Sequence, residues 1–278
     1  MRTLITGSSG FVGSNLYMKL QQSRSETFFV GRDLVIKNHS GQEVPEKEFL
    51  KAPIDALFHC AAAHPSQVSN ERDLITGNLV FTKQLLDRIS NERPKVLIFL
   101  STISVYGDPR PEPLHISSPI INPSKYGRAK KQTEDLVQSW GTLKNVTTHC
   151  VRLPAVLGEH EHHTFLPRLI EALRLGNSIK THALTSLFNH IVHVDDVCNF
   201  LIKLSKKNRF SSITQLATSK PLKLETVVHK ICDYYNIPET YICPETTVTS
   251  YVDISDAKML GFKPMSTENL LYRKFNAN

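Results

Sequence analysis

No stretch of this 278-residue chain approaches the roughly 20 consecutive apolar residues that a membrane-crossing helix needs; its longest apolar runs, such as 96–100 and 56–58, are the length of a strand. Cysteine is scarce as well. The five present, Cys60, Cys150, Cys198, Cys232 and Cys243, are odd in number and contain no C-x-x-C pair. That argues against a disulfide framework or a zinc site and for a reducing compartment. Met1 runs straight into a strand-like segment, Arg2–Thr6, without the charged-then-apolar layout of a secretory signal, so a cytoplasmic protein with no membrane partner is expected. The formal charge is +7, yet the basic residues are scattered and the one cluster, Lys206-Lys207-Asn208-Arg209, reads as a solvated helix end. With no recognition motif beside it, this charge does not indicate nucleic acid; it suits a pocket for an anionic small molecule. Internal repeats and low-complexity tracts are lacking.

What is present is alternation of strand-like and helical segments. Strands are expected at 2–6, 27–30, 56–60, 96–101 and 147–153, and helices at 11–22, 75–88 and 125–140. The 96–101 segment is apolar almost throughout, as a strand buried on both faces should be. Repeated strand–helix units with short joints imply a Rossmann-like, doubly wound parallel sheet in an α/β fold. After Pro154 the pattern loosens: a helix at 165–175, a strand at 191–194, a helix at 195–203 and another at 224–235. We therefore expect a dinucleotide-binding domain from 1–155 with about 188–213, and a smaller, interleaved α/β substrate domain from about 156–187 with 214–278.

The first strand enters Thr6-Gly7-Ser8-Ser9-Gly10-Phe11-Val12-Gly13 and then a helix. Glycines let the backbone turn tightly and approach a ligand, and the helix N-terminus offers N–H groups and a positive dipole end to a pyrophosphate. Ser8 stands where the G-x-G-x-x-G fingerprint has its first glycine, and the three glycines at three-residue intervals make a related version of the motif. At the end of the second strand, where an acidic residue would bind the adenosine ribose, the chain has Gly31-Arg32-Asp33. An arginine fork suits a 2′-phosphate, which favours NADP over NAD; the other reading has Arg32 in solvent and Asp33 in the acidic role.

Tyr126 and Lys130 are four apart on an expected helix and share a face. A phenol titrates near 10, and a neighbouring ammonium is expected to lower that value so that the pair can pass a proton to or from a substrate oxygen. Thr102 and Ser104, in Leu100-Ser101-Thr102-Ile103-Ser104-Val105-Tyr106-Gly107, lie at the carboxyl end of the buried strand, where doubly wound sheets carry their sites. Thr102 is expected to hydrogen-bond the substrate oxygen and Ser104 to face the pocket. His160-Glu161-His162-His163 resembles a metal cluster, but adjacent residues diverge rather than converge on an ion; a flexible loop at the substrate mouth is expected, with no metal. His193 is expected to be a structural hydrogen-bonder. Pro109, Pro111, Pro113, Pro119 and Pro123 mark an extended, pocket-shaping segment between Thr102 and Tyr126.

These motifs, with His59-Cys60-Ala61-Ala62-Ala63, Asn78, Val151-Arg152-Leu153-Pro154, His193-Val194-Asp195-Asp196-Val197 and Leu260-Gly261-Phe262-Lys263-Pro264, occur in an order that resembles the extended short-chain dehydrogenase/reductase family, also called the NAD-dependent epimerase/dehydratase family. The resemblance spans nearly the whole chain. It implies Thr102 as hydroxyl donor, Tyr126 as acid/base and Lys130 as its partner. It implies cofactor contacts from Gly7, Ser9, Gly10, Phe11, Val12, Gly13, Arg32, Ala61, Ala62, Ala63, Asn78, Ser101, Tyr126, Lys130 and Pro154. Relatives often dimerise through the helices expected at 75–88 and 125–140, so a homodimer is expected.

Members mostly act on nucleotide-linked sugars, and this chain departs from them at three places. Ala155 replaces an asparagine that touches the sugar nucleotide, and Asn189 stands where many members have a pyrophosphate-binding arginine. Arg168, Arg174 or Lys180 are candidate replacements, and Arg168 is taken as a substrate contact. Ile103-Ser104 replaces the Asp-Glu pair of 4,6-dehydratases, which argues against dehydration. The expectation is therefore an NADPH-dependent reductase of a 4-keto nucleotide sugar, in polysaccharide or deoxysugar synthesis. The alternatives are an epimerase that retains NAD and, from another class, a redox-sensing regulatory protein. Relatives of that last kind often lose the active tyrosine or lysine, and both are intact here.

Overall fold

Uninterrupted apolar runs with turn residues on either side fold as strands that side chains cover from both faces. The computed structural model describes residues 1–49, 51–64, 70–90, 94–109, 112–159, 161, 164–177, 179–181, 183–207, 210–238, 242–244 and 250–276. Within them β1 (Arg2–Thr6), α1 (Phe11–Gln22), β2 (Glu26–Val30), β3 (Ile36–Lys37), α2 (Glu46–Phe49) and β4 (Ala56–His59) lead to α3 (Glu71–Ile75), a π-helical turn (Thr76–Val80) and α4 (Phe81–Arg88). Then come β5 (Val96–Thr102), a 3-10 turn (Ile103–Tyr106), α5 (Lys125–Lys144) and β6 (Thr147–Leu153). β7 (Ala155–Leu157), α6 (Phe165–Arg174), β8 (Ile179–Thr181), β9 (Leu187–Phe188), β10 (Ile191–His193) and α7 (Val194–Leu204) follow. β11 (Ser212–Gln215), β12 (Leu222–Lys223), α8 (Leu224–Tyr235), β13 (Ile242–Pro244), α9 (Ser255–Met259) and α10 (Thr267–Phe275) complete the order.

Seven strands form one sheet in the order β11-β6-β5-β4-β1-β2-β3. β1 pairs in parallel with both β2 and β4, and β4 with β5. The chain leaves β1 for β2 on one side and later returns as β4 on the other, so the connection reverses at β1, and the crevice at the carboxyl ends of β1 and β4 is the natural ligand position of such a sheet. Thr6 and His59 are register partners there. The sheet is parallel as expected, with one antiparallel edge. β3 runs antiparallel to β2, because a tight turn through Gly31 and Leu34 (Leu34 N–H to Gly31 O, 3.1 Å; Leu34 φ +57°) sends the chain straight back. All seven residues of β5 are buried, and Leu4, Phe28, Leu57, Leu85, Leu97, Phe99, Val137 and Trp140 share one core. Each such side chain contributes roughly 1.5–3 kcal/mol by leaving water.

The chain divides into two compact units. The first holds Met1–Gly107, Pro119–Arg152 and Val197–Thr214; the second holds Asp108–Ser118, Leu153–Asp196 and Gln215–Asn278. These units differ from the expected borders at 108–118, 153–155, 188–196 and Thr214. Residues 108–118 fall in the second unit because the Leu114 main chain pairs with 251–253 (Leu114 N–H to Tyr251 O, 2.9 Å; Asp253 N–H to Leu114 O, 3.0 Å). Residues 188–196 do so because β10 pairs with β7. The second unit has its own core of Leu166, Leu169, Leu173, Val227, Ile231, Leu270 and Phe275.

Candidate active site

The turn after β1 is wound so closely that side chains would not fit. Gly7 has φ +68°, and a Cβ there would lie 2.6 Å from the Ala61 nitrogen; a Cβ at Gly13 would lie 2.1 Å from the Gly7 carbonyl oxygen. The first contact joins the glycine turn to the turn after β4, and the second seats α1 against it. Gly10 caps α1 without a side-chain capping bond, and the first turn of the helix carries no acidic residue. Ser9 and Gly10 are exposed and Phe11 and Val12 partly so. This cradle, which a Cβ would fill, at a helix N-terminus, fits the pyrophosphate of a dinucleotide.

A buried hydrogen-bond chain fixes the neighbouring turn. The Ala61 N–H donates to Thr6 Oγ1 at 3.1 Å, Thr6 Oγ1 meets His59 Nδ1 at 2.7 Å, and His59 Nε2 meets Thr82 Oγ1 at 2.7 Å. The Thr82 hydroxyl donates to the Asn78 carbonyl at 2.6 Å. Thr82 has thus spent its proton, so it accepts from His59 Nε2–H, and Nδ1 accepts from Thr6. The ring is the neutral Nε2–H tautomer, in keeping with its titration: burial, helped by the charge of Lys130, pushes His59 down to about 3. In the sequence His59 stands out only within the His59-Cys60-Ala61-Ala62-Ala63 motif; in the structure it is the clasp between β1, β4 and α4.

Asn78, expected as a cofactor contact, sits in the π-helical turn, 2% exposed. Its Nδ2 donates to the Ala63 and Leu74 carbonyls at 3.0 and 2.7 Å, while its Oδ1, like Ser101 Oγ, has no hydrogen-bond partner among the described residues. Asn78 therefore holds the turn of Ala61, Ala62 and Ala63 from behind.

Thr102 ends β5 and caps the 3-10 turn. Its Oγ1 accepts from the Ser104 N–H and donates to Ser104 Oγ, both at 3.1 Å. Ser124 caps α5 through the Gly127 N–H, and Tyr126 and Lys130 occupy the first turns of that helix. A Cβ at Gly127 would lie 2.2 Å from the Ser104 carbonyl oxygen, so the residue after Tyr126 packs directly on the Thr102–Ser104 turn. Lys130 is 1% exposed and its Nζ stands 4.1 Å from the centroid of the Phe99 ring. The expected lowering of the phenol is corrected. Burial pushes Tyr126 up to about 12, and it is Lys130 that moves down, to about 7, because burial outweighs the opposing effect of Glu134. His64, absent from the sequence-based candidates, lies edge-on to Tyr126 with ring centroids 5.3 Å apart; only its place next to the alanine turn signals it.

After β2, Arg32 is exposed. Asp33 is engaged locally: Oδ1 accepts from the Val35 N–H at 3.2 Å and Oδ2 from Lys37 Nζ at 3.1 Å, contacts that hold its carboxyl below the usual range.

Other candidates belong to the second unit. Pro154 is buried near its start. Arg168 is exposed on α6, its Nε donating to the Thr164 carbonyl of its own helix. Asn189 is buried and fully used, with Nδ2 on the Thr218 and Val252 carbonyls and Oδ1 receiving the Val252 N–H. His193 Nδ1 accepts from the Asp195 N–H. His160, His162 and His163 lie outside the described residues. Glu161, between them, is tied to the Gly158 N–H at 2.7 Å and to Lys274 at 2.9 Å. Among the described residues no group of three His, Cys, Asp or Glu could hold a metal ion, and no helix is long and apolar enough to cross a membrane.

The chain is 26% identical over 235 residues to UDP-glucuronic acid decarboxylase 1 of Danio rerio, a match covering 76% of this chain and 56% of that protein; it thus spans just over half the length of that relative. It is 28% identical over 249 residues to 4-hydroxy-2-methyl-3-oxo-4-farnesyl-3,4-dihydroquinoline-1-oxide ketoreductase of Stigmatella aurantiaca, covering 81% of this chain and 71% of the relative. The structure of MoeE5 in complex with UDP-glucose and NAD superposes with a TM-score of 0.78 at 21% identity, covering 99% of this chain and 98% of the other, which is a likeness of fold. The model of the NAD dependent epimerase/dehydratase family matches residues 3–214. With its glycine cradle, its Thr102 turn and its Tyr126–Lys130 helix, the chain belongs to that family.

Proposed function

We propose that this protein is an NAD(P)-dependent oxidoreductase acting on a nucleotide-linked sugar, and that it reduces a 4-keto sugar with NADPH. The observation that carries this reading is geometric: Gly127 packs α5, which bears Tyr126 and Lys130, directly on the turn that Thr102 caps, and burial favours the protonated phenol there. A resting site with a protonated phenol is set to give a proton, which is what reduction of a carbonyl requires.

When bound over the glycine cradle, a reduced nicotinamide supplies the hydride that adds to the keto carbon. Tyr126 gives its hydroxyl proton to the keto oxygen, and Thr102 turns its hydroxyl from Ser104 Oγ to the same oxygen. Lys130 stabilises the phenolate left behind, and solvent restores its proton. Gly7, Gly10 and Gly13 with the N-terminus of α1 would hold the pyrophosphate, and Arg32, exposed beside an already engaged Asp33, suits a 2′-phosphate. Residues of the second unit, Arg168 among them, would bind the nucleotide. The same reading takes the protein as a homodimer through the helical segments 75–88 and 125–140, where Val80, at the end of the π-helical turn, is 40% exposed; a monomer in sedimentation equilibrium removes that part.

The second reading is an epimerase that oxidises and re-reduces its substrate on a retained NAD. The NAD in the MoeE5 structure favours it. Mixing the protein with NADPH and a panel of 4-keto nucleotide sugars separates the two. NADPH oxidation supports reduction. No oxidation, together with NAD co-purifying with the protein and interconversion of a sugar and its 4-epimer, overturns it in favour of the epimerase.

A further inference from the structure

Glu134 follows Lys130 by one helical turn on α5, on the same face, and is 0% exposed. Arg152, on β6, grips it with two bonds: Nε to Oε1 at 2.9 Å and Nη2 to Oε2 at 2.7 Å. The same guanidinium stands 4.8 Å from the centroid of the buried Tyr106 ring, and Tyr106 closes the 3-10 turn that Thr102 opens. One carboxylate and one guanidinium thus connect the helix bearing Tyr126 and Lys130 to the turn bearing Thr102. A buried ion pair of this kind rarely adds stability over apolar residues of the same volume, so its presence calls for another role.

We propose that Glu134, clamped by Arg152, is a positioning residue that favours the charged form of Lys130 against burial and holds its helix in register with the Thr102 turn. This rests on the reading of Lys130 as the partner of Tyr126. The groups around Lys130 make Glu134 the one that counts. On its own helix there is Tyr126, a neutral phenol. From β4 and its following turn come His59, neutral in its hydrogen-bond chain, and Cys60; from β6 come Cys150 and Arg152. Burial holds both thiols in the protonated form. Phe99 offers its ring face. Arg152 does not supply an opposing charge to Lys130 but removes freedom from Glu134: burial works against its charge, and the bonds and charge of Glu134 outweigh that. Glu134 is the fixed anion left to balance a cation that burial would otherwise neutralise.

The test reads Lys130 itself. The full chain is prepared with 13Cε-labelled lysine, the Lys130 signal is assigned by its loss in Lys130→Met, and its midpoint is followed with pH. The wild type is expected to titrate near 7. Glu134→Gln is expected to lower the midpoint by about one pH unit or more, and Glu134→Asp to restore most of it. Removing half of a buried pair can prevent folding, so the double variant Glu134→Leu, Arg152→Met, which removes both charges at similar volume, is expected to fold and to show the same lowered midpoint. An unchanged midpoint in the folded variants overturns the proposal. A lowered midpoint with an unchanged pH profile of turnover supports it and instead removes Lys130 from the catalytic reading.

Discussion

The backbone of Ser104 occupies the space that a side chain at Gly127 would need: a Cβ there would come within 2.2 Å of the Ser104 carbonyl oxygen and 2.9 Å of its carbon. Both obstacles are backbone, so neither can swing aside as a flexible side chain would. The first turn of α5 can accept a larger residue only by backing away from the turn that holds Thr102.

Gly127→Ala is accordingly expected to separate Tyr126 from Thr102 by a fraction of an ångström to an ångström while leaving the rest of the sheet intact. Displacements of that size at a reacting centre cost up to about a hundredfold in rate. We expect kcat to fall by about ten- to a hundredfold, with dinucleotide affinity nearly unchanged. Steady-state turnover on the proposed nucleotide-sugar substrate and cofactor titration check this, and an alanine variant with full turnover would show that α5 has more play than its packing indicates.

The glycines of the first turn differ in what they exclude, and this sorts them before any measurement. A Cβ at Gly13 would meet Gly7 backbone atoms at 2.1 and 2.8 Å, whereas one at Gly10 would meet a single atom at 3.3 Å. Gly13→Ala is expected to destabilise the chain by about 1–3 kcal/mol through overpacking and to lose dinucleotide binding. Gly10→Ala is expected to keep its melting temperature and to weaken binding only through its own bulk at the helix N-terminus. Thermal unfolding and cofactor titration of the pair decide it; equal melting temperatures for the two would contradict the packing.

Which parts of this were open to sequence reading follows from the range of the forces involved. β1, α1, β5 and α5 declare themselves through local periodicity and through glycines at a turn, and the positions of Tyr126, Lys130 and Thr102 on those elements follow. The π-helical turn does not, since Thr76–Val80 reads as ordinary helix until the Asn78 side chain is seen taking the Leu74 and Ala63 carbonyls. The short strands of the second unit pair across long separations, as Leu187 with Lys223, which no period of 2 over two residues can signal. The titration of Tyr126 is hidden for the same reason: spacing shows the ammonium four residues away, while the burial that dominates is set by tertiary packing.

His59 makes the stability of the first unit depend on acid. Its folded value, about 3, lies below the ordinary 6.5, so between those pH values the unfolded chain binds more protons than the folded one. The contribution of this buried neutral ring is fully present above pH 6.5 and is lost as the pH falls from 6.5 toward 3. His59→Gln cannot titrate. It is expected to cost about 1–3 kcal/mol at pH 7 through the broken chain between Thr6 and Thr82, and the gap to the wild type is expected to narrow on acidification. Urea midpoints of both proteins at pH 7, 5.5 and 4.5 measure the gap, and a constant difference would place the acid sensitivity elsewhere.

Cofactor choice turns on two adjacent residues with different freedom. Asp33 is committed to the Val35 N–H and to Lys37, and a ribose hydroxyl would have to displace those bonds to reach it. Arg32 is exposed at the end of β2, where a guanidinium can bind a 2′-phosphate through two parallel hydrogen bonds, each charge-assisted. Arg32→Ala is therefore expected to raise the KM for NADPH by about tenfold or more, the loss of a hydrogen bond to a charged group being about 1.5–3 kcal/mol, and to leave the KM for NADH within about twofold. Asp33→Asn keeps the turn and is expected to change neither. Parallel initial-rate measurements with both cofactors check the pair of variants. If Asp33→Asn instead impairs NADH while Arg32→Ala affects neither cofactor, the carboxylate holds the ribose after all and the chain works with NAD.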